Sequence, residues 1–202
     1  MTESYSYDWF SHHVPTWSRL LGPWRGRPDL NFLEIGSFEG RSACWLLQNV
    51  LTHGTSRITC IDLFLESLEG DPVHMPEVAH PNKSFDENVA AIGAAHKVTK
   101  MAGPSFEILP QLPASSFDFV YVDGSHYAAY VLTDAVLAWR CLRLGGLVIF
   151  DDYLWGAEKL PAEDRPMAGV DAFMAGFKGH YDIVLREYQV ALRKTKELEP
   201  EP

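Results

Sequence analysis

The chain has 202 residues, 47% of them hydrophobic and 22% charged, which suits one globular domain with a sizeable core. A formal net charge of -10 argues against a nucleic-acid partner held by clustered Lys and Arg, and the three widely spaced cysteines Cys44, Cys60 and Cys141 offer neither a disulfide framework nor a metal spacing. No apolar run approaches the roughly 20 residues of a membrane span, and the start MTESYSYDWFSHH lacks the basic and apolar regions of a signal peptide, so a cytoplasmic protein with no membrane partner is expected.

In chain order, residues 1–28 hold Trp9, Phe10, His12, His13, Trp17 and Trp24 and read as an N-terminal helical segment or lid. Aromatic-rich segments of this kind also serve homodimer or higher homo-oligomer interfaces. Short apolar runs with the β-branched and aromatic bias of buried strands follow at Asn31–Ile35, Arg57–Phe64, Lys97–Met101, Phe117–Val122 and Gly146–Phe150. Helical segments at Arg41–Leu51, Phe85–Ile92, Phe106–Leu109 and Tyr127–Leu142 alternate with them, the last stopped by Gly145-Gly146. Such alternation specifies a parallel sheet with helices on both faces. Asp171–Lys178 predicts one more helix, and Tyr181–Arg186 with Gln189–Arg193 predict a closing antiparallel hairpin. The expected fold is a doubly wound seven-stranded α/β sheet, mostly parallel, over residues 29–194, with 195–202 a frayed tail. Residues 65–84 (LESLEGDPVHMPEVAHPNKS) hold three prolines, His74 and His80, have no clear period, and read as a second lid.

The stretch from Asn31 to Ser42 is a strand, a glycine turn and a helix start. Gly36 permits a sharp turn and Gly40 a close approach of ligand or helix. The spacing is not Gly-x-Gly-x-x-Gly, which weakens a nicotinamide or flavin reading. The next strand ends at Asp62, followed by Leu63, and an acid at that place can hydrogen-bond two ribose hydroxyls.

Glu34-Ile35-Gly36-Ser37-Phe38-Glu39-Gly40, Asp62, Ala102-Gly103-Pro104-Ser105, Asp123-Gly124-Ser125-His126 and Asp151-Asp152 together resemble the class I S-adenosylmethionine-dependent methyltransferases. More narrowly, they are similar to small metal-dependent O-methyltransferases related to macrolide-sugar and cephalosporin-pathway enzymes, and more distantly to catechol O-methyltransferase. The resemblance covers residues 30–193 and implies roles residue by residue. Gly36 to Gly40, with Glu34 and Ser37, would lie under the methionine part of the cofactor, and the Ser42 hydroxyl would hold its carboxylate. Asp62 would hold the ribose, and Leu63 and Gly103 would also bind the cofactor. Ser105 and Phe106 would flank the adenine, and catechol-type enzymes carry an amide at the Phe106 position. Asp123 would touch the cofactor as well.

Asp123 ends the fourth predicted strand, and Asp151 and Asp152 end the fifth. In the methyltransferase strand order these strands are neighbours, about 4.8 Å apart. Three crowded carboxylates would raise one another's pKa, and no Lys or Arg follows either motif closely. Oxygen-only ligands suit a hard divalent cation, Mg²⁺ before Ca²⁺ or Mn²⁺. The plainer alternative is an Asp-Gly turn and a solvated Asp-Asp pair. Adjacent side chains on a straight strand face opposite ways, so Asp151 and Asp152 can share an ion only where the strand has turned into a loop. A metal-bound hydroxyl loses its proton more readily, and His126, whose residue type titrates near pH 6.5, is the expected general base. The alternative role for His126 is to cap the helix starting near Tyr127. The expected reaction is O-methylation of a small molecule, a vicinal diol being the simplest chelating acceptor. A nitrogen acceptor and a non-catalytic binding protein are the alternatives.

Overall fold

The structure, a computed structural model, describes residues 2–65 and 81–198. His74, His80 and most of the segment read as a second lid lie outside the described residues. Seven strands are present: β1 Asn31–Ile35, β2 Arg57–Asp62, β3 Val98–Ala102, β4 Phe117–Val122, β5 Leu142–Phe150, β6 Tyr181–Arg186 and β7 Val190–Lys194. They form one sheet in the order β3-β2-β1-β4-β5-β7-β6. Pairing is parallel for β2 with β3, β1 with β4 and β4 with β5, and β7 runs antiparallel to both β5 and β6. The helices are α1 Val14–Leu21, α2 Arg41–Asn49, α3 Pro81–Ala91, α4 Ser105–Ile108, α5 Ala128–Cys141 and α6 Pro166–Gly176. The mostly parallel α/β sheet with a C-terminal antiparallel hairpin is therefore the observed fold.

The chain divides into two compact units, Met1–Leu30 with Ser37–Gly103, and Asn31–Gly36 with Pro104–Pro202. In the first, α1 buries Trp17 and Leu21 completely. The Trp17 ring meets Phe10 at 4.8 Å and Trp45 at 5.9 Å, both edge-on, a geometry aromatic quadrupoles favour. Burying such a side chain contributes about 1.5–3 kcal/mol. Ahead of α1 the chain is held by Glu39, whose carboxylate accepts from Ser6 N at 2.7 Å and Ser6 Oγ at 2.9 Å. Asn88 exchanges two further bonds with the backbone of Ser4. Trp9 stacks on Phe38 at 5.6 Å. His12 and His13 lie ring against ring at 3.8 Å.

In the second unit β4 is buried on both faces, which is why FDFVYV reads as an almost continuous apolar run. Phe119, Val120, Tyr121 and Val122 are all 5% exposed or less. Several element boundaries depart from the sequence reading, α3 starting at Pro81 rather than Phe85 and β5 at Leu142 rather than Gly146 among them. Helix α5 ends at Cys141, not at the glycine pair, because Leu142 already turns to extended backbone (φ -74°, ψ 133°) and pairs with Phe117. Gly145, at φ +79°, and Gly146 instead form a bulge that shifts the register from Phe117↔Leu142 to Phe119↔Leu147. Lys194 Nζ, buried, donates to the Trp139 and Leu142 carbonyls at that junction, at 3.2 and 2.9 Å. Helix α6 starts at Pro166 rather than Asp171, since proline at the first helical position has no N–H to leave unpaired.

The ends of β1 and β4 meet where Asp123 N donates to Ile35 O at 2.8 Å. Gly36 follows at φ +85°, and a Cβ there would lie 1.9 Å from the Asp123 carbonyl oxygen. Gly36→Ala should therefore destabilise the protein by roughly 2–4 kcal/mol, read as a lower urea midpoint at unchanged slope. A midpoint equal to wild type would show that the backbone there yields freely.

Candidate active site

Along β4, Tyr121 and Asp123 point to the same face, and the register Tyr121↔Ile149 puts Asp151 on that face of the neighbouring strand. Strand β5 stops at Phe150, and Asp152 takes φ +55°. The chain has thus turned before the acid pair, and the opposite-face constraint of a straight strand no longer holds. Tyr121, 2% exposed, carries its hydroxyl to Asp151 Oδ2 and to Asp123 Oδ2, the latter at 3.0 Å. A phenol has one proton and so donates to one of these oxygens. The other contact needs a proton on the carboxyl side. Burial, then the charges of Asp151 and Asp152, hold the Asp123 carboxyl well above the usual carboxylate range, which supplies that proton.

The remaining oxygens of the acid pair are met by protein donors. Asp151 Oδ2 accepts from Gln189 Nε2 at 3.0 Å, and Asp151 Oδ1 from Asp152 N at 2.7 Å. Asp152 Oδ1 accepts from the Tyr188 hydroxyl at 2.7 Å, and Asp152 Oδ2 lies 2.7 Å from His126 Nε2. Burial, then its bond to Asp152, push the Tyr188 hydroxyl up, so it stays a donor. Among the described residues no three His, Cys, Asp or Glu side chains are arranged to hold a metal ion. Asp123, Asp151 and Asp152 share one electrostatic neighbourhood, but Tyr121, Gln189, Tyr188 and His126 direct the oxygens of the pair. Asp123 Oδ1 accepts no hydrogen bond among the described residues.

His126 does not cap α5. Tyr127 is the N-cap residue, with no side-chain cap bond, and Tyr127 N donates to Ser125 Oγ at 3.2 Å. The His126 ring instead packs 4.5 Å from Trp155, over which Lys159 Nζ lies at 5.0 Å. With Nε2–H donated to Asp152, the neutral ring keeps its lone pair on Nδ1. A positioned carboxylate and a part-exposed imidazole make a general base with an orienting partner.

The residues expected to hold a cofactor fall in both units and are taken unit by unit. In the first, Asp62 Oδ2 accepts from Phe38 N at 2.9 Å and Oδ1 from Phe64 N at 3.0 Å. Phe38 and Phe64 both have φ +46°, so Asp62 holds two left-handed turns while each oxygen keeps a second lone pair. Gly103 N donates to the Asp62 carbonyl at 2.9 Å. Gly40 begins α2 at φ +80°, packed on Phe85, and Ser42 is buried in the first turn. The buried Ser37 Oγ has no hydrogen-bond partner among the described residues, the kind of atom a polar ligand satisfies. Leu63 is 54% exposed. In the second unit Glu34 is fully buried. Phe106 is largely exposed, and Ser105 Oγ donates to Asp134 Oδ1 at 2.6 Å.

A family profile described as "Methyltransferase domain" matches residues 33–153. The chain belongs to the methyltransferase domain family. Among curated relatives, an uncharacterized protein of Acanthamoeba polyphaga mimivirus is 30% identical over 156 residues, 72% of this chain and 63% of that protein. The catechol O-methyltransferase of Mycobacterium tuberculosis is 29% identical over 134 residues, 65% of this chain and 52% of that one. The chain thus spans less than two thirds of the length of either relative. Two solved structures share the fold. The O-methyltransferase TomG from Streptomyces achromogenes, in complex with SAM, has a TM-score of 0.65 at 21% identity, covering 90% of this chain and 80% of its own. The MycE methyltransferase of the mycinamycin pathway, in complex with Mg, SAH and mycinamycin VI, has a TM-score of 0.61 at 14% identity, covering 94% of this chain and 51% of its own.

Tyr121, Tyr188, Gln189, Trp155 and Asp134 escaped the sequence reading. Tyr121 left one signal, the single hydroxyl in the strand FDFVYV, since a buried tyrosine hydroxyl needs a partner. The hairpin residues Tyr188 and Gln189 left none, because their approach to Asp152 and Asp151 depends on β7 folding back on β5.

Asp134 lies inside α5, 3% exposed, and burial pushes its carboxyl up to about 6 against the lowering bond from Ser105. A raised carboxyl pKa adds stability at low pH that is lost as pH climbs toward the folded value. Between pH 4 and 7 the wild type should lose up to about 3 kcal/mol from this group. Asp134→Asn should flatten that slope in urea unfolding at pH 5 and 8. An unchanged slope would assign the pH dependence elsewhere.

Proposed function

We propose that this protein is an S-adenosylmethionine-dependent O-methyltransferase acting on a hydroxyl of a small molecule. The single observation that carries the reading is the His126–Asp152 pair at 2.7 Å on the Asp123-Gly124-Ser125-His126 turn, in a chain of the methyltransferase domain family. A protein that only bound the cofactor would have no use for an oriented base. The named relative catechol O-methyltransferase and the TomG and MycE structures support an oxygen acceptor.

When bound, S-adenosylmethionine supplies the methyl group from its sulfonium. Glu34, Gly36, Ser37, Gly40 and Ser42 would receive its methionine part, Asp62, Leu63 and Gly103 its ribose, and Ser105 and Phe106 its adenine. The unpartnered Ser37 hydroxyl and the spare lone pairs of Asp62 suit that ligand. A divalent cation, Mg²⁺ or another, would be held by Asp123, Asp151 and Asp152. The three side chains offer only oxygen, the chemistry a hard ion prefers, and Asp123 Oδ1 is uncommitted among the described residues, but as they stand the three are not gathered around one point. When present, such an ion makes an acceptor hydroxyl more acidic.

The chain's own residues do the rest. Asp152 takes the His126 Nε2 proton and so fixes Nδ1 as the atom that accepts the acceptor's proton. Tyr188, bonded to the other Asp152 oxygen, keeps the carboxylate from rotating away. Trp155 covers one side of the imidazole and limits its swing. An acceptor with two neighbouring hydroxyls, as in a sugar or a catechol, is the expected class.

His126→Ala should lower turnover about 100-fold or more while S-adenosylhomocysteine still binds in calorimetry. Undiminished turnover would remove His126 from the role of base. EDTA should abolish turnover and Mg²⁺ should restore it. Asp152→Asn should weaken Mn²⁺ binding in calorimetry about tenfold or more, with cofactor affinity little changed. Turnover indifferent to EDTA and to Asp152→Asn would exclude the ion. Acceptors are to be found by mass-shift screening of polyols and phenols.

A further inference from the structure

We propose that the cavity beside the C-terminal half of α5 is a binding site for a small amphipathic carboxylate, held by Lys194, Ser115 and the indole N–H of Trp139. The chain's own Glu197 occupies the place of that carboxylate in this structure. The inference is independent of the methyl-transfer reading.

The cavity measures about 380 Å³ and lies wholly within the second unit. Its apolar walls are Val136, Leu137, Trp139 and Phe177, with Leu198 from the segment after β7. Ser115, just before β4, and Lys194, the last residue of β7, also line it. These are the strand ends opposite those that lead to Asp123 and Asp151, so the cavity is separate from the candidate active site. Lys194 is a cation taken out of water, its side chain 2% exposed. Two of its three donors go to the Trp139 and Leu142 carbonyls. The third meets Glu197 Oε2 at 2.6 Å. Trp139 is 2% exposed, and its Nε1–H has no hydrogen-bond partner among the described residues. A buried donor left without an acceptor is costly and calls for an explanation.

Glu197 shows what the site accepts. Its Oε2 lies on Lys194, and its Oε1 accepts from Ser115 Oγ at 3.3 Å. Leu198, next in the chain and 56% exposed, adds an aliphatic group to the cavity wall. A carboxylate joined to an apolar group is thus what the chain itself lays there. A free carboxylate of that kind can replace Glu197 without leaving the buried ammonium unpaired. It gains a third donor that Glu197 does not use, Trp139 Nε1–H. That nitrogen is sealed from solvent in the present arrangement, so the ligand must displace Glu197 and Leu198 to reach it. Arg140 also lines the cavity, but one of its nitrogens is already bonded to the Leu109, Pro110 and Leu112 carbonyls. One ammonium with two neutral donors matches a singly charged carboxylate better than a phosphate dianion.

The test is calorimetric titration of the full chain with octanoate, and with 1-octanol as the uncharged control. Glu197→Gln removes the competing charge and should bind octanoate about tenfold tighter than wild type, with 1-octanol little changed. Trp139→Phe keeps a ring in place but removes the donor, and should weaken octanoate about fivefold or more. If Glu197 served only to hold the tail, Glu197→Gln would bind octanoate no tighter than wild type, and that result overturns the inference. So does binding of 1-octanol by Glu197→Gln as tight as that of octanoate, which would mark the cavity as an apolar dent without anion recognition. Undiminished octanoate affinity in Trp139→Phe also overturns it. The Glu197→Gln comparison stands even where Trp139→Phe does not fold.

Discussion

Three carboxylates brought to the ends of two adjacent parallel strands are the constraint around which the second unit is organised. Asp123, Asp151 and Asp152 crowd one another, and burial together with the charges of Asp151 and Asp152 raises the cost of ionising Asp123. Such a cluster persists only if protons, donors or a cation offset it. The chain supplies donors from three directions: Tyr121 from within β4, Gln189 and Tyr188 from the hairpin, and His126 from the turn after β4. The antiparallel hairpin that closes the sheet is therefore more than an edge. It carries two of the groups that hold the acids in place.

The same arrangement links folding to chemistry. A carboxylate already bonded to Tyr188 is a firmer anchor for His126 than one free to rotate, and an anchored imidazole has a defined tautomer. The backbone geometry below it is equally committed. Gly36 accepts a positive φ so that β1 can pass within contact of the Asp123 carbonyl, and Asp152 accepts one so that the acid pair can leave the strand. Backbone conformations of this cost concentrate where function requires them.

Much of this was legible in the residue order. All seven strands lie where the apolar runs place them, and Asn31–Ile35, Phe117–Val122 and Tyr181–Arg186 match residue for residue. Buried parallel strands leave a strong signal because both faces must be apolar. The misplaced boundaries are local contests between signals. Gly145-Gly146 is good stop chemistry for a helix, but the ladder to Phe117 captured Leu142 first. Phe106, which the resemblance places beside adenine, is exposed, and the contact of Asp134 with Ser105 arises only from the packing of α5.

The amino-acid order by itself determined the sheet, the class of the fold and the identity of the acids and the histidine, because hydrophobic periodicity and strand-end motifs are short-range properties of the chain. Only the tertiary structure decided which oxygen faces which donor. That Tyr121 reaches Asp151, that Tyr188 and Gln189 return to the acid pair, and that His126 meets Asp152 rather than capping α5 are contacts across 30 or so residues, set by strand register and by the turn at Asp152. Register and turn conformation arise from the packing of the whole sheet, and no local pattern of residues encodes them.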